Sequence, residues 1–270
     1  MGCRTILVEL ADDKGLETRL QVARGLAERF DAVLVGMHVT PPPFIPASYG
    51  EATAYIGPEL LEAQRKANRE IAERVQAVFR SVCGEGANAV WQEAEGDRGQ
   101  LLAEAARTTD LLLARHARFG GADAPDVLDQ LVTAAGVPVL ALPSGFSGDL
   151  GQTVLIGWNG SREAARAVHD ALPFLQTAKG VILCAVGEQA ETSLEAANAM
   201  LRRHGLAVQP HKVGEPDGNA GEVLLAQAAA HAADLLVMGA YGHTRLRELV
   251  FGGATRRVLR EATLPVLFSS

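Results

Sequence analysis

The chain has 270 residues, 48% of them apolar and 21% charged, with a formal net charge of −7 at neutral pH. This is globular composition, long enough for two domains, and it excludes a disordered chain; the acidic balance also excludes a general nucleic-acid binder, which needs a clustered basic face. No stretch approaches the roughly 18 consecutive apolar residues of a membrane-spanning helix, and the three scattered cysteines, Cys3, Cys83 and Cys184, lack any Cys-x-x-Cys pairing and read as small buried hydrophobes in a reducing compartment.

The N-terminus runs directly into a strand-like stretch, Arg4 to Ala11, without the basic start, apolar centre and cleavage site of a secretory signal, so a cytoplasmic protein is expected. Gly2 is compatible with a myristoylation signal, but Leu7 and Glu9 fit a buried first strand better. Leu16, Leu20, Ala23 and Ala27 recur at helical spacing, and a second strand follows over Ala32–Val39. Pro41-Pro42-Pro43 and the residues from Phe44 to Gly57 read as an irregular loop, either a lid or an insertion. Pro58 and Glu59 suit the first turn of a long helix reaching about Val82, with Ala67, Ile71, Val75, Val78 and Val82 on one face. Apolar runs over Thr109–Ala114 and Gly136–Ala141 complete this half.

The same markers then return in the same order. Gln152–Asn159 matches the first strand, and Ala164, Val168, Ala171 and Leu175 match the first helix. Val181–Val186, Ala233–Met238 and Thr263–Phe268 match the remaining strands. Strands alternating with helices imply parallel sheets with right-handed crossovers. Two tandem doubly wound α/β domains are therefore expected, residues 1–145 and 151–270, joined by the Gly/Ser/Pro-rich stretch Pro143–Asp149.

The most informative stretch is Met238-Gly239-Ala240-Tyr241-Gly242-His243-Thr244-Arg245, continuing to Gly252-Gly253-Ala254-Thr255-Arg256-Arg257-Val258-Leu259. It leaves the end of a strand and enters a helix. Glycines let backbone approach a ligand closely. The free N–H groups of Gly253, Ala254 and Thr255 at a helix start make an anion site, and the Thr255 hydroxyl could add a donor or cap the helix. His243, Arg245 and Arg247 lie in the same loop, within reach of phosphates. A tight structural crossover is the competing explanation of the glycines.

Gly239-x-x-Gly242, nine residues and then Gly252 resembles the ATP-binding signature of the universal stress protein family, and the likeness covers nearly the whole chain as a tandem pair. The resemblance implies that each domain is a mostly parallel five-stranded sheet with helices on both faces, Rossmann-like and of the adenine nucleotide alpha hydrolase type. Domains of that family pair through their final strands, so the resemblance also implies that residues 137–142 and 264–268 could pair within the chain as an internal pseudo-dimer, and that a further copy could add to make a homodimer. It implies a site for ATP or another adenine nucleotide in the C-terminal domain, with Gly157, Trp158 and Asn159 lining the first strand's end and Val186 against the base. Two positions depart from the family pattern: Gly253 stands where a small hydroxyl residue follows the last glycine, and Asn159 stands where Asp is common. The neutral amide removes a good Mg²⁺ ligand. Trp158 could stack on a base or fill core.

The first copy lacks the loop. Aligning the strands sets Gly239 against Arg115, Gly242 against Arg118, Gly252 against Pro125 and Thr255 against Leu128. Proline donates no N–H and arginine adds bulk, so family-style nucleotide binding is not expected there. Arg115, His116 and Arg118 form a small basic cluster that either attracts an anion or is solvated or paired with Asp123 or Asp126. No Walker loop, Gly-x-Ser-x-Gly elbow or His-Glu-x-x-His motif is present, and the seven histidines show no metal-ligand spacing. No catalytic residue is assigned; hydrolysis, if any, would be slow. Two functions follow from this reading: a stress-response protein that binds an adenine nucleotide, or a nucleotide-free interaction and dimerisation scaffold of the same fold.

Overall fold

A computed structural model describes residues 2–45, 53–84, 86, 88–116, 127–146, 148–214, 219–241 and 253–270. The first half runs β1 (Thr5–Leu10), α1 (Leu16–Phe30), β2 (Val33–Thr40), α2 (Thr53–Cys83), β3 (Ala89–Glu95), α3 (Arg98–Ala106), β4 (Leu111–His116), α4 (Val127–Ala134) and β5 (Val139–Pro143). The second runs β6 (Thr153–Trp158), α5 (Arg162–Asp170), α6 (Leu172–Leu175), β7 (Gly180–Val186), α7 (Glu188–Arg203), β8 (Val208–Val213), α8 (Ala220–Ala230), β9 (Leu235–Gly239), α9 (Ala254–Glu261) and β10 (Val266–Ser269).

The strands form one ten-stranded sheet in the order β3-β2-β1-β4-β5-β10-β9-β6-β7-β8. The two expected five-stranded sheets thus join into a continuous one. Every neighbouring pair is parallel except the seam, where β5 and β10 run antiparallel with Leu140 opposite Leu267. Both seam leucines are fully buried, and their pairing removes two strand edges that would otherwise invite association. The central strands are apolar on both faces because helices cover both faces. Ile6, Val8, Val154 and Ile156 pack toward α1, α2 and α5–α7, whereas Leu7 and Leu155 pack toward α3, α4, α8 and α9.

Two aspartates explain one repeated marker. Asp110 Oδ2 accepts the backbone N–H groups of Arg4 and Thr5 at 2.8 and 2.9 Å. Asp234 accepts those of Gly151, Gln152 and Thr153 at 2.7, 2.9 and 3.2 Å. In each half the acid before one strand satisfies the exposed donors at the start of its neighbour.

Three features depart from the sequence expectations. The edge strands β3 and β8 are half-solvated and carry polar residues, so they lack the apolar run that marks the buried strands. Helix α2 begins at Thr53, placing Pro58 inside it rather than in its first turn; the helix accommodates one missing N–H donor near its start. The helix expected through Leu175 stops at Asp170 and resumes as the short α6 with Pro173 near its start, because proline cannot continue the α5 hydrogen-bond ladder. Of the expected 44–57 loop, residues 46–52 lie outside the described residues. Phe44 is held to α2 on both sides: Gln64 Oε1 accepts its N–H at 2.8 Å and Gln64 Nε2 donates to its carbonyl at 2.9 Å.

Candidate functional site

In a doubly wound sheet, ligands bind beyond the carboxyl ends of the strands where the strand order reverses. In the second half that point lies between β6 and β9, which pair in parallel with Gly157 opposite Met238. The expected site residues that are described lie on β6, β7 and β9, on the turn after β6 and at the start of α9.

Several of them are committed to packing. A Cβ on Gly157 would stand 2.8 Å from Leu224 Cδ1, so this glycine lets α8 close onto β6. A Cβ on Gly239 would stand 2.5 Å from both Ala164 N and the Glu163 carbonyl carbon, so the end of β9 abuts the first turn of α5. Trp158 is 9% exposed and donates its indole N–H to Ser193 Oγ on α7 at 2.9 Å. Met238 is buried in the same layer as Leu155 and Phe268, and Val186 packs half-buried against that layer at the end of β7.

The turn after β6 closes on itself. Asn159 Oδ1 accepts the N–H of Ser161 at 3.1 Å, and Ser161 Oγ caps α5 by accepting the N–H of Ala164 at 3.1 Å. Glu163, in that first turn, is 5% exposed and ion-paired with Arg162. Burial alone pushes its carboxyl up, but the hydrogen bonds from Arg162 and Ser161 outweigh burial and hold it below the usual carboxylate range. A buried acid at this edge was not expected from the sequence, where Glu163 reads as an ordinary first-turn helix residue.

The strongest donor feature is the start of α9. Gly253 is its N-cap, with extended-type ψ of 151° and no side-chain cap. Among the described residues no side chain caps the first-turn N–H groups of α9, as an anion site requires. Thr255 does not serve as that cap. It is 3% exposed, and its hydroxyl accepts the N–H of Tyr241 at 3.4 Å, tying the exit of β9 to α9. Tyr241 itself sits at φ +58°, a left-handed conformation uncommon outside glycine and found often at functional sites. Helix α9 is set close to α8 at Gly221, where a Cβ would stand 2.6 Å from the carbonyl oxygen of Ala254. Gly242, His243, Arg245, Arg247 and Gly252 lie outside the described residues.

The equivalent edge of the first half, between β1 and β4, is built differently. Glu9 stands where the second half has Gly157, and Arg115 where it has Gly239. The Glu9 carboxylate, 1% exposed, accepts the backbone N–H of Arg115 at 3.0 Å. Arg115 pairs with Glu9 and Asp13 on its own edge of the sheet; Arg118, Asp123 and Asp126 lie outside the described residues. His116 is not in a solvated loop: it is 2% exposed and its Nε2 meets the carbonyl of Leu259 on α9. Among the described residues no group of three His, Cys, Asp or Glu side chains is placed to hold a metal ion, and no helix is long and apolar enough to cross a membrane.

Residues 185–269 match the family model of the universal stress protein family. Universal stress protein Slr1230 of Synechocystis sp. (strain ATCC 27184 / PCC 6803 / Kazusa) is 38% identical over 79 residues, which is 29% of this chain and 26% of that relative's length. The chain thus matches about a quarter of that curated relative. Among solved structures, a universal stress protein from Archaeoglobus fulgidus DSM 4304 superposes with a TM-score of 0.70 at 16% identity, covering 98% of each chain. A candidate universal stress protein from Pseudomonas aeruginosa UCBPP-PA14 gives 0.60 at 19% identity, covering 99% of this chain and 93% of that one. These two likenesses establish the tandem fold over the full length.

Proposed function

We propose that this chain, whose residues 185–269 match the universal stress protein family model, is a stress-response regulator of that family that holds ATP or a related adenine nucleotide in its C-terminal domain. The observation that carries this reading is the start of α9: a helix N-terminus with glycine at its N-cap and no side-chain cap among the described residues, beside the ends of β6 and β9, at the point where strand order reverses. Gly253, Ala254 and Thr255 would offer backbone donors to a phosphate group, and the glycine-rich residues preceding them would complete the cradle. The base and ribose would lie toward Asn159 and Val186. Gly157, Met238 and Gly239 would serve as the packed floor that fixes the strand ends, and Trp158 as a support beneath them. Asn159 brings no charge for a divalent cation, so binding would not depend on Mg²⁺. The domains would divide near residues 146–150.

A second reading, a nucleotide-free scaffold, is favoured by one observation: the seam between β5 and β10 already joins the two halves inside one chain. Equilibrium binding separates the readings. ATP or AMP should bind the purified chain with sub-millimolar affinity, with little change on adding Mg²⁺, and Gly242→Glu should abolish binding while leaving the unfolding transition in place. Absence of binding below the millimolar range would leave the scaffold reading standing.

A further inference from the structure

We propose that the N-terminal half carries a separate anion site, at the carboxyl ends of β1 and β4, where Arg98 and Arg115 take the phosphate group of a small ligand.

Three arginines and two carboxylates meet at this edge. Arg19 is 3% exposed and spends its donors inward: Nε donates to the carbonyl of Glu9 at 2.8 Å, and Nη1 and Nη2 donate to Asp13 at 3.3 and 3.2 Å. Asp13 Oδ1 also accepts the N–H of Gly15 at 2.8 Å. Arg98 and Arg115 are held more loosely. Arg98 Nη1 lies 3.6 Å from Glu9 Oε1, Arg115 Nε lies 3.5 Å from the same oxygen, and Arg115 Nη1 lies 3.6 Å from Asp13 Oδ2. These are ion pairs rather than full hydrogen bonds, and both guanidinium side chains are about a quarter exposed, at 26% and 25%. Glu9 Oε1 is buried and accepts no hydrogen bond among the described residues. It attracts both forks from below without saturating either.

Charge and position point the same way. Among the described residues, three guanidinium groups face two carboxylates at this edge, in a chain whose overall charge is −7. Burial pushes the Arg98 guanidinium down and Glu9 pulls it back only in part, so additional negative charge would be favourable there. The sheet order reverses between β1 and β4 as it does between β6 and β9, so this is a ligand-binding position of the fold. Guanidinium forks match tetrahedral phosphate oxygens, and Arg98 and Arg115, both anchored on Glu9 Oε1, are near enough for one phosphate group to meet both. The chemistry fits inorganic phosphate and a phosphate monoester alike. Nothing in the site involves α9, so the proposal stands independently of nucleotide binding in the other half.

The test is a titration of the full chain with inorganic phosphate at constant ionic strength, following the Arg98 and Arg115 Nε–H signals by ¹⁵N-edited NMR. Both signals should shift and saturate. Arg115→Gln should weaken the effect about tenfold, and Glu9→Gln, which removes the competing carboxylate, should tighten it. A parallel titration with ribose 5-phosphate identifies the source: tighter binding marks a phosphate ester, weaker binding free phosphate, and either supports the site. Signals that fail to saturate up to about 50 mM of both ligands, or an Arg98→Gln/Arg115→Gln double variant that binds unchanged, would overturn it. Should a variant fail to fold, the titration of the unaltered chain decides alone.

Discussion

The phenol hydroxyl of Tyr241, at the exit of β9 in the second half, donates to Asp129 Oδ1 on α4 in the first. Tyr241 also gives its backbone N–H to Thr255 Oγ1 in α9. One residue therefore fixes the root of the glycine-rich loop to the opposite half and to the helix that the loop leads into. His116 adds a second tie from the first half, at the carbonyl of Leu259. The half that lacks the glycine loop thus braces the half that has it.

Removing the Tyr241 hydroxyl tests that brace. Tyr241→Phe should lower the unfolding free energy by about 1–2 kcal/mol, read as a lower urea midpoint with unchanged slope. Nucleotide affinity should fall several-fold in the same variant, because the loop root loses its fixed point. An unchanged midpoint would mean that the contact carries no net energy.

The two glycines at the sheet edge should respond unequally to alanine. At Gly239 the added methyl would meet backbone, 2.5 Å from Ala164 N, which cannot step aside. At Gly157 it would meet the tip of Leu224 at 2.8 Å, which can rotate away. Gly239→Ala should cost about 3 kcal/mol and Gly157→Ala about 1 kcal/mol, measured by chemical denaturation. The reverse order would contradict the assigned contacts.

The paired aspartates give a graded prediction. Asp234→Ala leaves three strand-start amides without their acceptor, Asp110→Ala only two, at a more exposed place. The expected losses are about 2–3 kcal/mol and about 1 kcal/mol. Thermal denaturation of the two variants, side by side, checks the order.

Buried thiols make stability fall at alkaline pH. Burial raises the Cys184 thiol to about 11 and the Cys3 thiol to about 12, the latter helped by Asp110. The unfolded chain loses these protons near the ordinary cysteine value of about 8.5–9, while the folded chain keeps them, so the folded state binds more protons above that pH. Unfolding free energy should therefore decline from about pH 9 upward through the folded-state values. Cys184→Ala should flatten that decline, and a disulfide-exchange reagent at pH 8 should label Cys3 and Cys184 only after unfolding. Rapid labelling of either in the native chain would refute their burial.

Much of the fold was legible because its central strands are buried on both faces. Such strands must be continuous apolar runs, and β1, β2, β4 and β5 repeat in β6, β7, β9 and β10 as runs of that kind. The edge strands β3 and β8 escaped because one of their sides is open to water, which leaves them polar. The glycine pattern points to the β6–β9 edge of the second half, yet sequence cannot say which glycine makes room for a ligand and which for a neighbouring helix. Gly157 and Gly239 make room for Leu224 and for the first turn of α5.

By itself the sequence determined the repeated α/β unit, the order of its central strands and the inequality of the halves, since these depend on local periodicity and on where glycine, proline and arginine stand. The sequence also offered the pairing of β5 with β10, and the structure shows it joining the halves into one sheet. Only the tertiary structure decided that Trp158 belongs to the core and that Glu9 lies beneath Arg98 and Arg115. Residues 89 positions apart, such as Glu9 and Arg98, meet through strand pairing and helix packing, and no local pattern records which distant side chain will share a buried charge.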